Sequence, residues 1–77
     1  MKLLYFAMIR EKIGKGQEEI AFEGNLSQLR QLLIKRYPEL GPIIRVSRFA
    51  VNGSYVGDDY LLKGGEEIAL IPPVSGG

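Results

Sequence analysis

The 77-residue sequence predicts an α+β domain in which a mixed sheet of four to five strands carries one main helix packed on one face. Three observations predict this class. An apolar run opens the chain, a central segment has the apolar spacing of a helix, and two strand-like segments follow it. We expect residues 1–71 to form the domain and residues 72–77 to form an extended, flexible tail.

The first strand is predicted over residues 2–8 (KLLYFAM), which are dense in strand formers and apolar on both faces of a period-two pattern. Residues 9–14 (IREKIG) then predict one helical turn ended by Gly14. Residues 17–22 (QEEIAF) predict a second strand that pairs with the first and turns Ile20 and Phe22 inward.

The main helix is predicted between Asn25 and Tyr37. Asn25 or Ser27 can cap its N-terminus, and Pro38 forces it to end at or before Tyr37. Its apolar stripe, which predicts a core-facing side, consists of Leu26, Leu29, Leu33 and Tyr37, flanked by Leu32. The side expected to face water consists of Gln28, Arg30, Gln31 and Lys35.

The remaining strands are predicted in the last third of the chain. Residues 39–47 (ELGPIIRVS) indicate a connection with a short strand or turn around residues 43–46. A strand then runs into Asn52-Gly53, a strong two-residue hairpin signal, and residues 54–56 return from it. Residues 57–67 (GDDYLLKGGEE) are predicted as loop and turn. Residues 66–71 (EEIALI) predict the final strand, which Pro72 ends because proline has no N–H.

The composition excludes several classes of function. The chain has no cysteine and no histidine, so Cys/His zinc sites, disulfides and thiol nucleophiles are excluded, and no metal site is predicted. Charges nearly cancel at a formal +1 with no basic cluster, which argues against nucleic acid. No apolar run approaches the roughly 20 residues of a membrane span. With no targeting segment evident, we expect a cytoplasmic protein.

Candidate catalytic groups are scarce. The adjacent carboxylates Glu18-Glu19, Asp58-Asp59 and Glu66-Glu67 are poor acid–base pairs, because neighbouring strand residues point to opposite faces. We interpret them as solvated turn and edge charges.

The last six residues have the properties expected of a segment that extends from the domain and enters a partner protein. Pro72-Pro73 favours a stiff, extended exit, Val74 and Ser75 form a short step, and Gly76 and Gly77 are slim enough for a narrow channel. The segment can reach about 20 Å from the domain and would end in one carboxylate. The alternative is a disordered tail without a role.

A docking patch is predicted on the sheet face that the helix leaves open, because Phe6, Tyr55 and Ile71 are expected there and that face is ordinarily polar. The alternative is that the chain's own loops cover these side chains.

These segments together resemble the small subunits of molybdopterin synthase, sulfur carriers of the ubiquitin-like β-grasp fold. The resemblance covers the whole chain and is carried by LYFAMIREKIG, LRQLLIKRYPEL, AVNG and LLKGGEEIALIPPVSGG. FAMIRE and PPVSGG are its most specific parts. One departure is Gly65, where relatives commonly have aspartate.

The resemblance implies a carrier role for Gly77. An E1-like adenylating enzyme would use ATP to activate its carboxylate, and a sulfurtransferase system would convert it to a thiocarboxylate. The tail would thread into the large subunit of the synthase, usually in a heterotetramer, and donate sulfur to cyclic pyranopterin monophosphate. Phe6, Tyr55 and Ile71 match family interface positions, and Arg10 lies in the family's Arg-Glu signature with its role open. No cofactor of its own is implied, and acid–base groups would belong to the large subunit.

Three other functions stay open at this level. The chain could be a ubiquitin-like modifier joined through Gly77 to lysines. It could be the sulfur carrier of the thiamin pathway, although that family is usually shorter and lacks FAMIRE and PPV. It could also be a β-grasp binding module with an inert tail.

Overall fold

The computed structural model describes residues 1–73. It contains seven strands, three α-helices and one 3-10 turn. In chain order these are β1 (Lys2–Tyr5), α1 (Ala7–Ile13), β2 (Gln17–Glu19), β3 (Gly24–Asn25), α2 (Leu26–Arg36), the 3-10 turn (Pro38–Leu40), α3 (Gly41–Val46), β4 (Arg48–Val51), β5 (Ser54–Val56), β6 (Leu61–Leu62) and β7 (Glu67–Ile71).

Five strands form one mixed sheet in the order β2-β1-β7-β4-β5. The central pair, β1 and β7, is parallel, and the other neighbours are antiparallel. The short strands β3 and β6 pair separately. This is the predicted α+β class, and the order and pairing are those of a ubiquitin-like β-grasp sheet.

Helix α2 covers one face of this sheet. Asn25 and Gln28 form a reciprocal capping box, which fixes the start of the helix. The leucine stripe at positions 26, 29 and 33 is fully buried, as predicted. It packs against alternate side chains of the sheet, namely Leu3, Tyr5, Phe49, Val51, Ile68 and Leu70.

The first strand is shorter than predicted. It ends at Tyr5, and Ala7 adopts a left-handed conformation, with φ of 51°, at the start of α1. Met8 therefore lies on a helix rather than on the predicted strand. The predicted end at Gly14 is confirmed, since this glycine caps α1 with φ of 89°.

The predicted connection at residues 39–47 is helical instead. The 3-10 turn and α3 occupy it, because burying Ile44 against α2 outweighs the strand preference of its β-branched residues. Residues 61–62, predicted as loop, form β6. The Asn52-Gly53 hairpin is confirmed, with both residues at positive φ.

Arg30 does not face water as predicted. Its side chain is only 11% exposed and forms an ion pair with Asp58 at 2.7 Å. Its Nη1 donates to the carbonyl oxygens of Ile44 and Ser47, both at 2.6 Å, and the guanidinium lies 4.8 Å from the ring centroid of Phe49. Arg30 thereby ties α2 to the end of α3, to β4 and to the loop after β5.

Two of the carboxylates interpreted as solvated are integrated into the fold. Glu66 is buried and accepts from the backbone N–H groups of Lys63 and Gly64 at 2.8 and 2.7 Å. Glu18 accepts from the hydroxyl of Tyr5 and pairs with Lys15 and Arg36 at 2.6 and 3.2 Å. These contacts hold the sharp turn before β7 and brace β2 against β1.

The same contacts make stability depend on pH. The backbone N–H of Lys63 leads the contacts that lower the pKa of Glu66, and hydrogen bonds from Arg30 lower the pKa of Asp58. For Glu18, burial would raise the pKa, but Lys15, Tyr5 and Arg36 together hold it below its ordinary value of 4.5. A carboxyl with a lowered folded-state pKa stabilises the fold above its unfolded pKa and loses that contribution as pH falls through the folded value.

We therefore expect the urea midpoint of unfolding to be flat between about pH 7 and 5 and to fall below about pH 4. Glu66→Gln should lower the midpoint at neutral pH and reduce its acid dependence, because the amide carries no charge for the two N–H donors. Glu67→Gln, at an exposed neighbouring position, is the matched control. A midpoint that stays constant to about pH 3 would contradict this expectation.

Candidate functional site

The sheet face opposite α2 is apolar at its centre, where Leu4, Ala69 and Ile71 are partly exposed and Ala50 is buried. Strand alternation turns Leu4, Ala50, Ala69 and Ile71 toward this face, because their neighbours in sequence point into the core. The register aligns Leu4 with Ala69, Ala69 with Ala50, and Ala50 with Tyr55. Leu4, Ala69, Ala50 and Tyr55 therefore form a continuous apolar row across the sheet.

Phe6, Tyr55 and Ile71 lie on or beside this face. Tyr55 ends the row and is 56% exposed. Phe6 is extended, 42% exposed, and follows the paired residues Tyr5 and Leu70, so its position along β1 matches that of Ile71 along β7. We call these three residues with Leu4, Ala50 and Ala69 the open-face patch. The predicted role of the patch in docking stays a prediction.

Arg48 also lies on this face and was missed in the sequence. It is the register partner of Ile71, and its guanidinium carbon lies 4.2 Å from the ring centroid of Tyr55. The signal that could have found it is the period of two in β4, which puts positions 48 and 50 on the same face.

Arg10 is not brought together with the open-face patch. It projects from α1 toward the loop that enters β2, where a Cβ at Gly16 would lie 3.2 Å from its Nε. Gly16 in turn accepts from the N–H of Tyr5. Strand β2 is on the far side of β1 from β7, so Arg10 and Ile71 lie on opposite sides of β1.

The tail begins beside the patch. Pro72, which directly follows Ile71, is buried, and Pro73 is exposed. The other predicted tail residues, Val74, Ser75, Gly76 and Gly77, lie outside the described residues. Within residues 1–73 the open-face patch therefore lies next to the start of the tail.

Residues 1–73 contain no group of three or more acidic residues placed to hold a metal ion. Within the same range, no helix is both long and apolar enough to cross a bilayer. Three of the candidate carboxylates are engaged in the contacts described above.

The fold and the patch define a small ubiquitin-like protein with a covered and an open sheet face. The chain belongs to the ThiS family, which matches residues 3–77. It is 37% identical to the molybdopterin synthase sulfur carrier subunit of Caenorhabditis briggsae, over 100% of this chain and 96% of that protein.

Two solved structures share the architecture. One is the complex of subunits 1 and 2 of the molybdopterin-converting factor from Helicobacter pylori, at 25% identity and a TM-score of 0.70, covering 99% of this chain and 96% of that one. The other is small archaeal modifier protein 1 from Methanosarcina acetivorans, at 25% identity and a TM-score of 0.79, covering 99% and 94%.

Proposed function

We propose that this chain is a sulfur carrier and the small subunit of a molybdopterin synthase. The observation that carries the proposal is the family match through Gly77, together with full-length relatives that carry this name. The absence of cysteine adds a chemical reason, since the chain has no thiol on which sulfur could be carried. The carboxylate of Gly77 is then the attachment point.

The proposed cycle uses Gly77 as an acyl group. Its carboxylate attacks the α-phosphate of ATP on an E1-like adenylating enzyme, which releases pyrophosphate and leaves an acyl-adenylate. A sulfurtransferase system supplies sulfur at the oxidation level of sulfide, which attacks the acyl carbon, forms the carbon–sulfur bond, displaces AMP and leaves the thiocarboxylate. That group delivers its sulfur to cyclic pyranopterin monophosphate in the large subunit, and two deliveries complete the dithiolene. Because ATP is a substrate of the first step, we place the cycle in the cytoplasm.

The open-face patch is the proposed docking surface for the large subunit. Support comes from the related H. pylori protein, which forms a complex with subunit 2 of its converting factor. In this chain the patch includes Ile71 and adjoins the start of the tail, so a partner that covers the patch is well placed to receive residues 72–77. Exposed aromatic side chains such as Phe6 and Tyr55 are favourable anchors of an interface.

A second candidate function is protein modification through Gly77. The likeness to small archaeal modifier protein 1 favours it, because that protein shares the fold over nearly the whole chain. Both functions begin with the same adenylate, so they differ only in the nucleophile that attacks it.

The test is mass spectrometry of the chain after purification from its own cells. The expected result is a fraction with one oxygen-to-sulfur exchange, confined to the peptide ending in Gly77, and copurification of the large synthase subunit. A variant with one alanine appended after Gly77 is the matched control and should carry no sulfur. Larger proteins bearing Gly77 in an isopeptide bond, with no sulfur on Gly77 and no large subunit, would overturn the proposal in favour of the modifier.

A further inference from the structure

One charged side chain stands inside the apolar part of the open face. Arg48 is the register partner of Ile71, and its guanidinium stacks on Tyr55 at 4.2 Å, so it touches two corners of the open-face patch. Among residues 1–73 the structure records no ion pair for this arginine. The other charges that the register places on this face are Lys2, Glu19 and Glu67, at the far end of the sheet, where Lys2 is the partner of both acids.

A partner that covers Ile71 and Tyr55 must also cover Arg48. Removing an arginine from water is costly, because its guanidinium stays protonated at any ordinary pH and its N–H donors then need acceptors. The stack on Tyr55 offsets part of this cost but satisfies none of the in-plane N–H groups. The remaining cost has to be met by an acceptor on the partner, and a carboxylate matches the planar fork of the guanidinium best.

We propose that the large synthase subunit places a carboxylate against Arg48, at the rim of the opening that receives the tail. This inference rests on the proposed function, because it names the partner of that docking surface. The location follows from the register: Arg48 lies beside Ile71, the last strand residue before the tail begins. Arg48 is thus a specificity-determining residue: it favours a partner whose opening has an acidic rim over one whose rim is apolar or basic.

The stack with Tyr55 also explains why the residue should be arginine. It holds the guanidinium over the ring before the partner arrives, so less side-chain freedom is lost on binding. A lysine would keep the charge but would present neither the fork nor the planar stacking surface. We therefore expect Arg48→Lys to recover only part of the affinity that Arg48→Met loses.

The test measures binding of the chain to the large subunit from the same organism, by calorimetry at low and high salt. Arg48→Met is expected to weaken the Kd by at least about 30-fold and to reduce its dependence on salt. Arg45→Met, at an exposed position in α3, is the matched control and should leave both unchanged. Thermal unfolding of each variant separates a loss of contact from a loss of fold.

A second measurement locates the carboxylate directly. A carbodiimide joins a lysine amine to a nearby carboxyl as an amide, so the complex of the Arg48→Lys variant should yield a cross-link at position 48 to the rim of the large subunit. The wild-type complex, treated identically, provides the background from the other lysines. The inference would be overturned if position 48 formed no cross-link to an acidic residue of the large subunit and the Kd of Arg48→Met were unchanged.

The outcomes separate the two proposals. Ile71→Asp puts a charge on an apolar corner of the patch and should abolish binding if the open face is the docking surface. If Ile71→Asp lost binding while Arg48→Met kept the wild-type affinity and salt dependence, the inference would be wrong and the proposed function would stand. Failure of the unaltered chain to bind the large subunit would overturn the proposed function, and the inference with it.

Discussion

A chain that lacks Gly76 and Gly77 is expected to form no molybdopterin in a reconstituted synthase, yet to compete with the full chain for the large subunit. Residues 1–73 retain the open-face patch, so docking survives. The deletion moves the terminal carboxylate to Ser75 and shortens the tail by about 7 Å, so the carboxylate can reach neither the adenylating site nor the pterin. The measurement is product formed per large subunit, with increasing amounts of truncated chain added to the thiocarboxylated full-length chain.

The control for this prediction is the variant with one alanine appended after Gly77. It keeps every residue of the tail but moves the carboxylate, so it should be equally inactive and should compete equally well. A truncated chain that forms product at the wild-type rate would show that sulfur is not carried on Gly77. A truncated chain that neither reacts nor competes would place docking in the tail instead of in the open-face patch.

Replacement of Arg30 by methionine is expected to cause a large loss of stability, although this residue lies on the side of α2 opposite the leucine stripe. Its guanidinium satisfies the carbonyl oxygens of Ile44 and Ser47 and both carboxylate oxygens of Asp58. Methionine fills part of the space but removes the donors to Ser47 and Asp58, and it leaves the Ile44 carbonyl with only the backbone N–H of Ser47. Because Asp58 is itself 44% exposed, water screens that pair, and most of the cost comes from the two carbonyl groups.

The expected cost is about 3 kcal/mol, which corresponds to a fall in Tm of about 12 to 24 °C for a domain of this size. Thermal and urea unfolding of Arg30→Met beside Arg45→Met, whose side chain is exposed, measures it. A fall no larger than that of the control would show that these hydrogen bonds contribute little. Asp58→Asn should have a smaller effect than Arg30→Met, since the carbonyl contacts remain.

The elements that could be predicted from the sequence are those fixed by neighbouring residues. Asn52-Gly53 favours its turn locally, and both residues do adopt positive φ. The alternation in β7 buries Ile68 and Leu70 as expected, because a strand between two others must match its pattern to the core. The capped start of α2 at Asn25 depends only on residues three apart.

The elements that could not be predicted depend on contacts between distant parts of the chain. Arg30 was assigned to water because its position on the helix opposes the leucine stripe. Nothing local shows that α3 and the loop after β5 lie over that side of α2. Residues 41–46 have strand-forming side chains, and only packing of Ile44 makes them helical. Ala7 adopts a left-handed conformation, which alanine rarely does, so its residue type gave no local sign of it.

The residues of the candidate site also differ in whether neighbouring residues in the sequence could predict their positions. Phe6, Tyr55 and Ile71 could be predicted on the open face because strand periodicity alone separates the two faces of a sheet. Arg48 was missed because a single arginine at a strand end is unremarkable until its neighbours across β5 and β7 are known. Arg10 shares a motif with Phe6, and its backbone N–H donates to the carbonyl oxygen of Phe6, but its side chain extends toward Gly16, on the β2 side of β1.

The position of β7 has a consequence for how the protein is made. Among the described strands this one is the last to leave the ribosome, yet it lies between β1 and β4 and joins two halves of the sheet that share no other strand pairing. Of the five-stranded sheet, a nascent chain that stops before residue 67 can pair only β2 with β1 and β4 with β5, and each pair has an open hydrogen-bonding edge. Cooperative folding must therefore wait until residues 67–71 have emerged. We therefore expect a fragment released before that point to remain unfolded and open to proteolysis.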